Sequence, residues 1–293
     1  MKKKRRRRFK HNVIAIVYDF DGTLTPQPMQ EYTVLPKIGI KGRKFWDRVK
    51  QESVRTGGEE IVTYMRLMLD LSNTAQVPIT RQMLKGLAKD IKFFKGLSAK
   101  NNFFNRINKF VRKYSKGKVK VRHYLLSAGL KEILEGIAIR KHFFNIFASE
   151  YFYNHYGAAV FPKIIVNDTL KTQFLFRINK GKEKIHENIN VHMAYKDRAI
   201  PFQNILYIGD GLTDVPCMTV AMKEGGYAIA VHARRKGLEV CKELWNAKRV
   251  YFITKADYRP GGDLDIAVKT TLQTMIQGVR FTKACFDQYL KNE

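Results

Sequence analysis

"VIAIVYDFDGTLTP", residues 13–26, is the stretch on which the reading of this chain turns. Val13 to Tyr18 are apolar and largely β-branched, the composition of a short buried strand. The run ends in Asp19-Phe20-Asp21-Gly22-Thr23, two carboxylates one residue apart. On an extended strand positions i and i+2 share a face. Two acids held that way need a compensating cation, a shared proton, or both. Pro26 and Pro28 break the chain just beyond.

Working outward, the pattern turns helical from Lys41 to about Lys116. "EEIVTYMRLMLDL" and "NNFFNRINKFVRKY" repeat apolar residues at three- and four-residue spacing. "KVKVRHYLLSAG" returns to a strand, with a helix expected from near Leu130. After it, "NIFASEYFY" reads as a strand, "PKIIVND" and "TQFLFRI" as a hairpin, and "KGKEKIHENI" as a helix. "NILYIGDG", "YAIAV" and "RVYFI" read as strands, "VPCMTVAMKEG" as a helix, and Asp263 to Tyr289 as mostly helical. Strand–helix alternation with apolar strands predicts an α/β fold, a doubly wound parallel sheet. The helical run between the first two core strands reads as an insert. The expected organisation is a basic disordered arm over 1–12, a core of 13–25 and 120–293, and a helical cap over 26–119.

Ligands of open α/β sheets bind beyond the carboxyl ends of the strands. Collecting those ends brings together Asp19 and Asp21, then Ser127-Ala128-Gly129, then Asp210 and Asp214 of "GDGLTD". Asn179-Lys180-Gly181 follows "FLFRI". In this order the residues resemble the four signature motifs of the haloacid dehalogenase-like phosphohydrolases. DFDGT (19–23) matches the first motif, Ser127 suits the second, Lys180 in "NKGKEKI" the third, and the acids of "GDGLTD" the fourth. The resemblance runs from Val13 to about Leu272, and residues 26–119 fall where that family carries a type-1 helical cap. The order of core strands is similar to phosphoserine-phosphatase-like members.

The resemblance implies a Mg2+-dependent phosphatase working through an aspartyl phosphate on Asp19. Asp21 would protonate the leaving oxygen and later deprotonate water; true dehalogenases lack that second acid. The metal ligands it implies are Asp19, Asp210 and the backbone carbonyl of Asp21, with Asp214 orienting them from behind. Ser127, Ala128 and Gly129 would bind the phosphoryl oxygens, and Lys180 would offset negative charge. Lys184, one helical turn on, is the alternative lysine. Ser127 also reads as a helix N-cap and Asp214 as the cap of the helix near Pro216. The seven histidines show no metal-ligand spacing; His123 and His232, nearest the motifs, read as ordinary core or surface residues.

Charge is the unusual feature. The 293 residues hold 54 Lys and Arg against 26 Asp and Glu, a formal net charge of +28. The field favours anionic partners: nucleic acid, anionic lipid or phosphorylated small molecules. Lys2, Lys3, Lys4, Arg5, Arg6, Arg7 and Arg8 are candidate nucleic-acid contacts, with nuclear import or a membrane tether as other readings of the same arm. From Ile91 to Lys131 there are twelve Lys or Arg, interleaved with aromatics, and no acid. An amphipathic cap helix explains the spacing but not the missing acids. The second reading of the whole chain is therefore a basic protein that docks on RNA or a ribonucleoprotein through arm and cap, using the fold as a scaffold.

Composition excludes other classes. Hydrophobic content of 45% is that of a globular protein. Without a run of about 18 apolar residues nothing reads as a membrane span. The apolar stretch after MKKKRRRR is too short for a signal peptide. Three scattered cysteines without CxxC spacing fit a reducing interior rather than disulfides or zinc. The expected location is cytoplasmic, or nuclear in a eukaryote.

Overall fold

The structure, a computed structural model, describes residues 8–98, 100 and 102–292. Among the described residues seven strands form one sheet: β1 (Val13–Tyr18), β2 (Lys120–Leu130), β3 (Phe143–Tyr153), β4 (Ala159–Ile164), β5 (Ile205–Gly209), β6 (Tyr227–His232) and β7 (Phe252–Lys255). Their order is β4-β3-β2-β1-β5-β6-β7. All pairs are parallel except the edge pair β3/β4. The chain leaves β1 for β2 on one side and later returns to β5 on the other, so the strand order reverses at β1. That reversal opens a crevice at the carboxyl end of β1.

Period-2 alternation decides what each face buries. Ile14, Ile16 and Tyr18 of β1 join one apolar cluster, while Ala15 and Val17 join the other. Both faces of β1 are covered, which is why the strand reads as continuously apolar. Over the first face lie α1 (Met29–Tyr32), α2 (Val34–Lys37), α3 (Gly42–Thr56), α4 (Glu60–Thr74), α5 (Arg81–Leu87), α6 (Phe103–Tyr114), α7 (Lys131–Leu134) and, from the far end of the chain, α11 (Asp263–Lys291). Over the second lie α8 (Lys171–Lys180), α9 (Val215–Lys223) and α10 (Arg235–Asn246). The result is a three-layer doubly wound α/β domain. Among the described residues no helix is long and apolar enough to cross a membrane.

The helices between β1 and β2 do not form one separate body. α3 packs on α4, and α4 reaches the β4 edge, but α6 packs against β2 and α11 within the sheet's own layers. The end of the arm is ordered too: Phe9 lies against Phe286 with ring centroids 5.7 Å apart, and His11 is buried. Residues 1–7, including Lys2, Lys3, Lys4, Arg5, Arg6 and Arg7, lie outside the described residues; Arg8 is exposed.

Two expected elements differ. "TQFLFRI" is not a strand: it forms most of α8, and the hairpin partner of β3 is β4, joined through a turn at Asn154–Ala158. Phe174, Leu175 and Ile178 are buried at helical spacing, and their aromatic and β-branched character imitates a strand. "KGKEKIHENI" is not helical. Gly181, at φ +67°, ends α8. Beyond it the Arg177 guanidinium bonds the carbonyls of Lys182, Lys184, Ile185 and Glu187, and the Lys182 ammonium bonds that of Asn188. Side-chain cations thus take carbonyls that a helix would have bonded to its own amides.

Candidate active site

Asp19 leaves β1 with its backbone N–H bonded to the Ile208 carbonyl at 2.9 Å, which holds the end of β1 to β5. A tight turn follows, with the Gly22 N–H on the Thr25 carbonyl at 2.8 Å and Gly22 at φ +86°. Glycine is needed there twice over. The left-handed φ disfavours a side chain, and a Cβ would sit 2.0 Å from Oδ2 of Asp210.

The carboxylates are brought together by a lysine that sequence reasoning missed. The Lys171 ammonium, 1% exposed, lies 2.8 Å from Asp19 Oδ1 and 2.8 Å from Asp214 Oδ1. Lys180 is elsewhere: its ammonium donates to the carbonyls of Ile189 at 2.5 Å and Val191 at 3.0 Å. Gly181 after Lys180 is the αL end of a helix, not the start of one. A usable signal was present. Lys171 precedes Phe174, Leu175 and Ile178 by three, four and seven residues, so it shares the buried face of α8, whereas Lys180 does not.

Asp214 is fully enclosed. Its Oδ1 also accepts from the Tyr207 hydroxyl at 2.7 Å, and its Oδ2 accepts the Asp210 N–H at 3.1 Å. Gly209 leaves it room: a Cβ there would meet Oδ2 of Asp214 at 2.3 Å. Asp19, Asp210 and Asp214 each offer an oxygen within 4.8 Å of the others. Asp214 is already committed through both oxygens, which leaves Asp19 and Asp210 as the carboxylates able to turn toward a cation. An all-oxygen anionic set of this kind fits a hard divalent ion such as Mg2+.

Asp21 faces the insert instead. Its Oδ1 accepts the Met29 N–H at 2.8 Å, and no cation is paired with it among the described residues. The two neighbouring acids therefore differ electrostatically. Burial pushes Asp19 up to about 6, with Asp214 adding to the rise and Lys171 opposing it. Burial, then the Asp19 charge, pushes Asp21 up to about 8. Asp210 is also raised, by burial and by Asp19 and Asp214. Burial opposes the Lys171 charge, but the two carboxylates outweigh it and hold the ammonium protonated.

Ser127-Ala128-Gly129 lie beside this group on β2. Tyr18 pairs with Leu125 in register, so the segment after Tyr18 runs alongside Ser127. The β2/β3 ladder shifts register between Leu126 and Leu130, which frees the intervening backbone. Ser127 is buried and its Oγ accepts the Gly129 N–H at 3.0 Å. The Ala128 carbonyl accepts from the hydroxyls of Tyr64 (2.9 Å) and Ser149 (3.1 Å). Tyr64 belongs to α4, so the insert is bonded directly to this loop. His123 stays out of the group: the Tyr18 hydroxyl is 3.0 Å from its Nδ1 and Asn108 Oδ1 is 3.1 Å from its Nε2.

Comparison with known proteins gives the same fold. A protein of Borreliella burgdorferi described as uncharacterized is 26% identical over 281 residues, covering 87% of this chain and 95% of its own. A phosphoserine phosphatase solved as a phospho-aspartyl intermediate analogue superposes with a TM-score of 0.53 at 15% identity, over 88% of this chain and 99% of that one. An unliganded probable phosphoserine phosphatase of Vibrio cholerae gives 0.55 at 14% identity, over 92% of this chain and 67% of that one. At such identities the two structures share the fold. The family itself is fixed by sequence: residues 16–219 match the haloacid dehalogenase-like hydrolases, and the chain belongs to that family.

Proposed function

We propose that the chain is a Mg2+-dependent phosphomonoesterase that works through an aspartyl phosphate on Asp19. The observation that carries this is the pairing of Asp19 with buried Lys171, while Asp21, two residues on, has no cationic partner and takes only a backbone N–H. One carboxylate is kept ionised for attack; the other is suited to hold a proton. Asp19 attacks phosphorus, the bond to the leaving oxygen breaks, and Asp21 gives that oxygen its proton. Water then attacks the aspartyl phosphate, Asp21 takes its proton, and inorganic phosphate leaves with Asp19 restored. Lys171 stays charged throughout and offsets the negative charge that attack brings together. Asp214 and Tyr207 hold it and Asp210 in place.

Asp19 and Asp210 would hold the Mg2+, which when bound reduces the repulsion between an anionic phosphoryl group and an anionic nucleophile. Ser127 and the 128–129 backbone would hold phosphoryl oxygens, and the helices of residues 26–98 would act as the cap that selects among phosphorylated substrates.

The test is phosphate release from an aryl phosphate with and without Mg2+, comparing the wild type with Asp19→Asn. Metal-dependent release abolished by that substitution is the expected outcome. Release that survives it would remove Asp19 as nucleophile.

A further inference from the structure

At the opposite end of the sheet, a groove of about 720 Å³ runs between the turn entering β2 and the last turns of α11, and a second hollow continues it. Its rim carries Arg8, Lys116, Lys118, Lys120, Arg280 and Lys283, against a single acid, Asp287. The local sequence builds this rim. Lys116 and Gly117 both take positive φ, turning the chain after α6. In Lys118-Val119-Lys120, alternation buries Val119 and leaves both lysines exposed. Asp287 is occupied by Lys283 at 2.6 and 2.8 Å, and Arg280 donates to the Tyr114 carbonyl at 2.6 Å. Lys116, Lys118 and Lys120 have no acidic partner among the described residues. The floor is apolar and aromatic, with Phe9 packed on Phe286.

The arm leaves from this wall. The Lys120 N–H bonds the Asn12 carbonyl at 3.0 Å, and the Asn12 side chain bonds the Lys118 carbonyl at 3.3 Å. Seven of the eight residues up to Arg8 are Lys or Arg. The arm's charge has the rim's own sign, so it offers no electrostatic complement to the groove. From here to Asp19 is the length of β1, ~20 Å at about 3.3 Å per residue. The groove is therefore separate from the hydrolase site.

We propose that this groove binds single-stranded nucleic acid without sequence preference. Lysines along one wall match the regular charge of a phosphodiester chain, and aromatic rings on the floor offer faces for bases. Concavity decides between polyanions. A bilayer is flat on this scale and would reach only the rim, whereas a single strand can lie in the groove and meet rim and floor together.

The experiment is fluorescence anisotropy of a labelled 12-nucleotide oligouridine with the full chain between 0.05 and 0.5 M salt, settings chosen to resolve the salt slope. The test variant is K116Q/K118Q/K120Q. The control, R43Q/K44Q/K50Q, removes equal charge from exposed positions of α3. Circular dichroism establishes that both variants fold. If all three lysines meet phosphates, the log–log slope falls by about 2 and affinity at 0.1 M salt drops roughly 100-fold, while the control stays within about threefold. Equal losses in both variants, or no loss in the first, would overturn the assignment. So would loss of binding to phosphatidylserine-containing vesicles in the first variant with oligouridine binding intact. None of these readouts depends on hydrolysis, so the result stands apart from the phosphatase reading.

Discussion

Replacing Lys171 by Met is the most informative single perturbation of the site. Its ammonium lies 2.8 Å from a carboxylate oxygen of Asp19 and the same distance from one of Asp214. At an effective dielectric of about 20, each contact is worth roughly 6 kcal/mol of gross Coulomb energy. Most of that is offset by the cost of burying the charges, and breaking such a group typically costs about 3–5 kcal/mol in stability, because the acids stay behind unpaired. Rate should suffer separately: removing one preorganised charge from a reacting centre costs about 10²–10³ in kcat. Lys180→Met is the internal comparison. It removes two bonds to backbone carbonyls, each worth about 1 kcal/mol, and nothing near Asp19. Urea unfolding would measure the stabilities and aryl-phosphate hydrolysis the rates, with circular dichroism to establish that Lys171→Met is folded in the assay. The reasoning fails if folded Lys171→Met keeps activity within threefold of wild type, or if Lys180→Met loses the hundredfold instead.

Gly22→Ala should destabilise by about 1–3 kcal/mol through its φ of +86°. Because its Cβ would displace the Asp210 carboxylate, calorimetry should also find weaker Mg2+ binding; unchanged affinity would remove Asp210 from the ligand set. Tyr64→Phe removes one of two hydroxyls on the Ala128 carbonyl and should cost about 1 kcal/mol of stability by urea unfolding, with a fall in kcat larger than the change in KM. His123 is held neutral, its pKa lowered to about 3 by burial and then by His142. The unfolded chain takes up that proton first as pH falls, so this stabilisation is full above about 6.5 and is lost toward 3. It amounts to about 3 kcal/mol lost by pH 4. NMR should find the imidazole untitrated at pH 5, and His123→Gln should flatten the fall in stability between pH 6.5 and 4; a normal imidazole titration would contradict the buried geometry.

What could be read from sequence divides along physical lines. Asp19 and Asp210 follow apolar strands directly, with Asp21 and Asp214 two and four residues after them, so the rule about strand ends was enough to place their backbones at one edge. The signal for Lys171 is usable only once residues 171–180 are known to be a helix. Buried Phe174, Leu175 and Ile178 satisfy both a short strand and a helix face, and only tertiary packing on the second face of the sheet decides between them. The loop of residues 181–190 failed for a different reason. Its backbone is held by cations five to ten residues away, Arg177, Lys180 and Lys182, and such bonds leave no periodic trace. The bond from Tyr64 to the Ala128 carbonyl spans 64 residues and has no local signature either.

The central place of β1 also bears on how the chain is made. Of the described strands it is the first to be made, yet its neighbour β5 begins at Ile205, about 190 residues later. At roughly 5–20 residues per second, that leaves one edge of Val13–Tyr18 open for on the order of 10–40 s. An apolar six-residue strand with a bare edge is the kind of segment that pairs with copies of itself. The eight Lys and Arg among residues 1–10 would keep nascent chains apart during that interval, a gatekeeping duty separate from anything the arm binds once folding is complete.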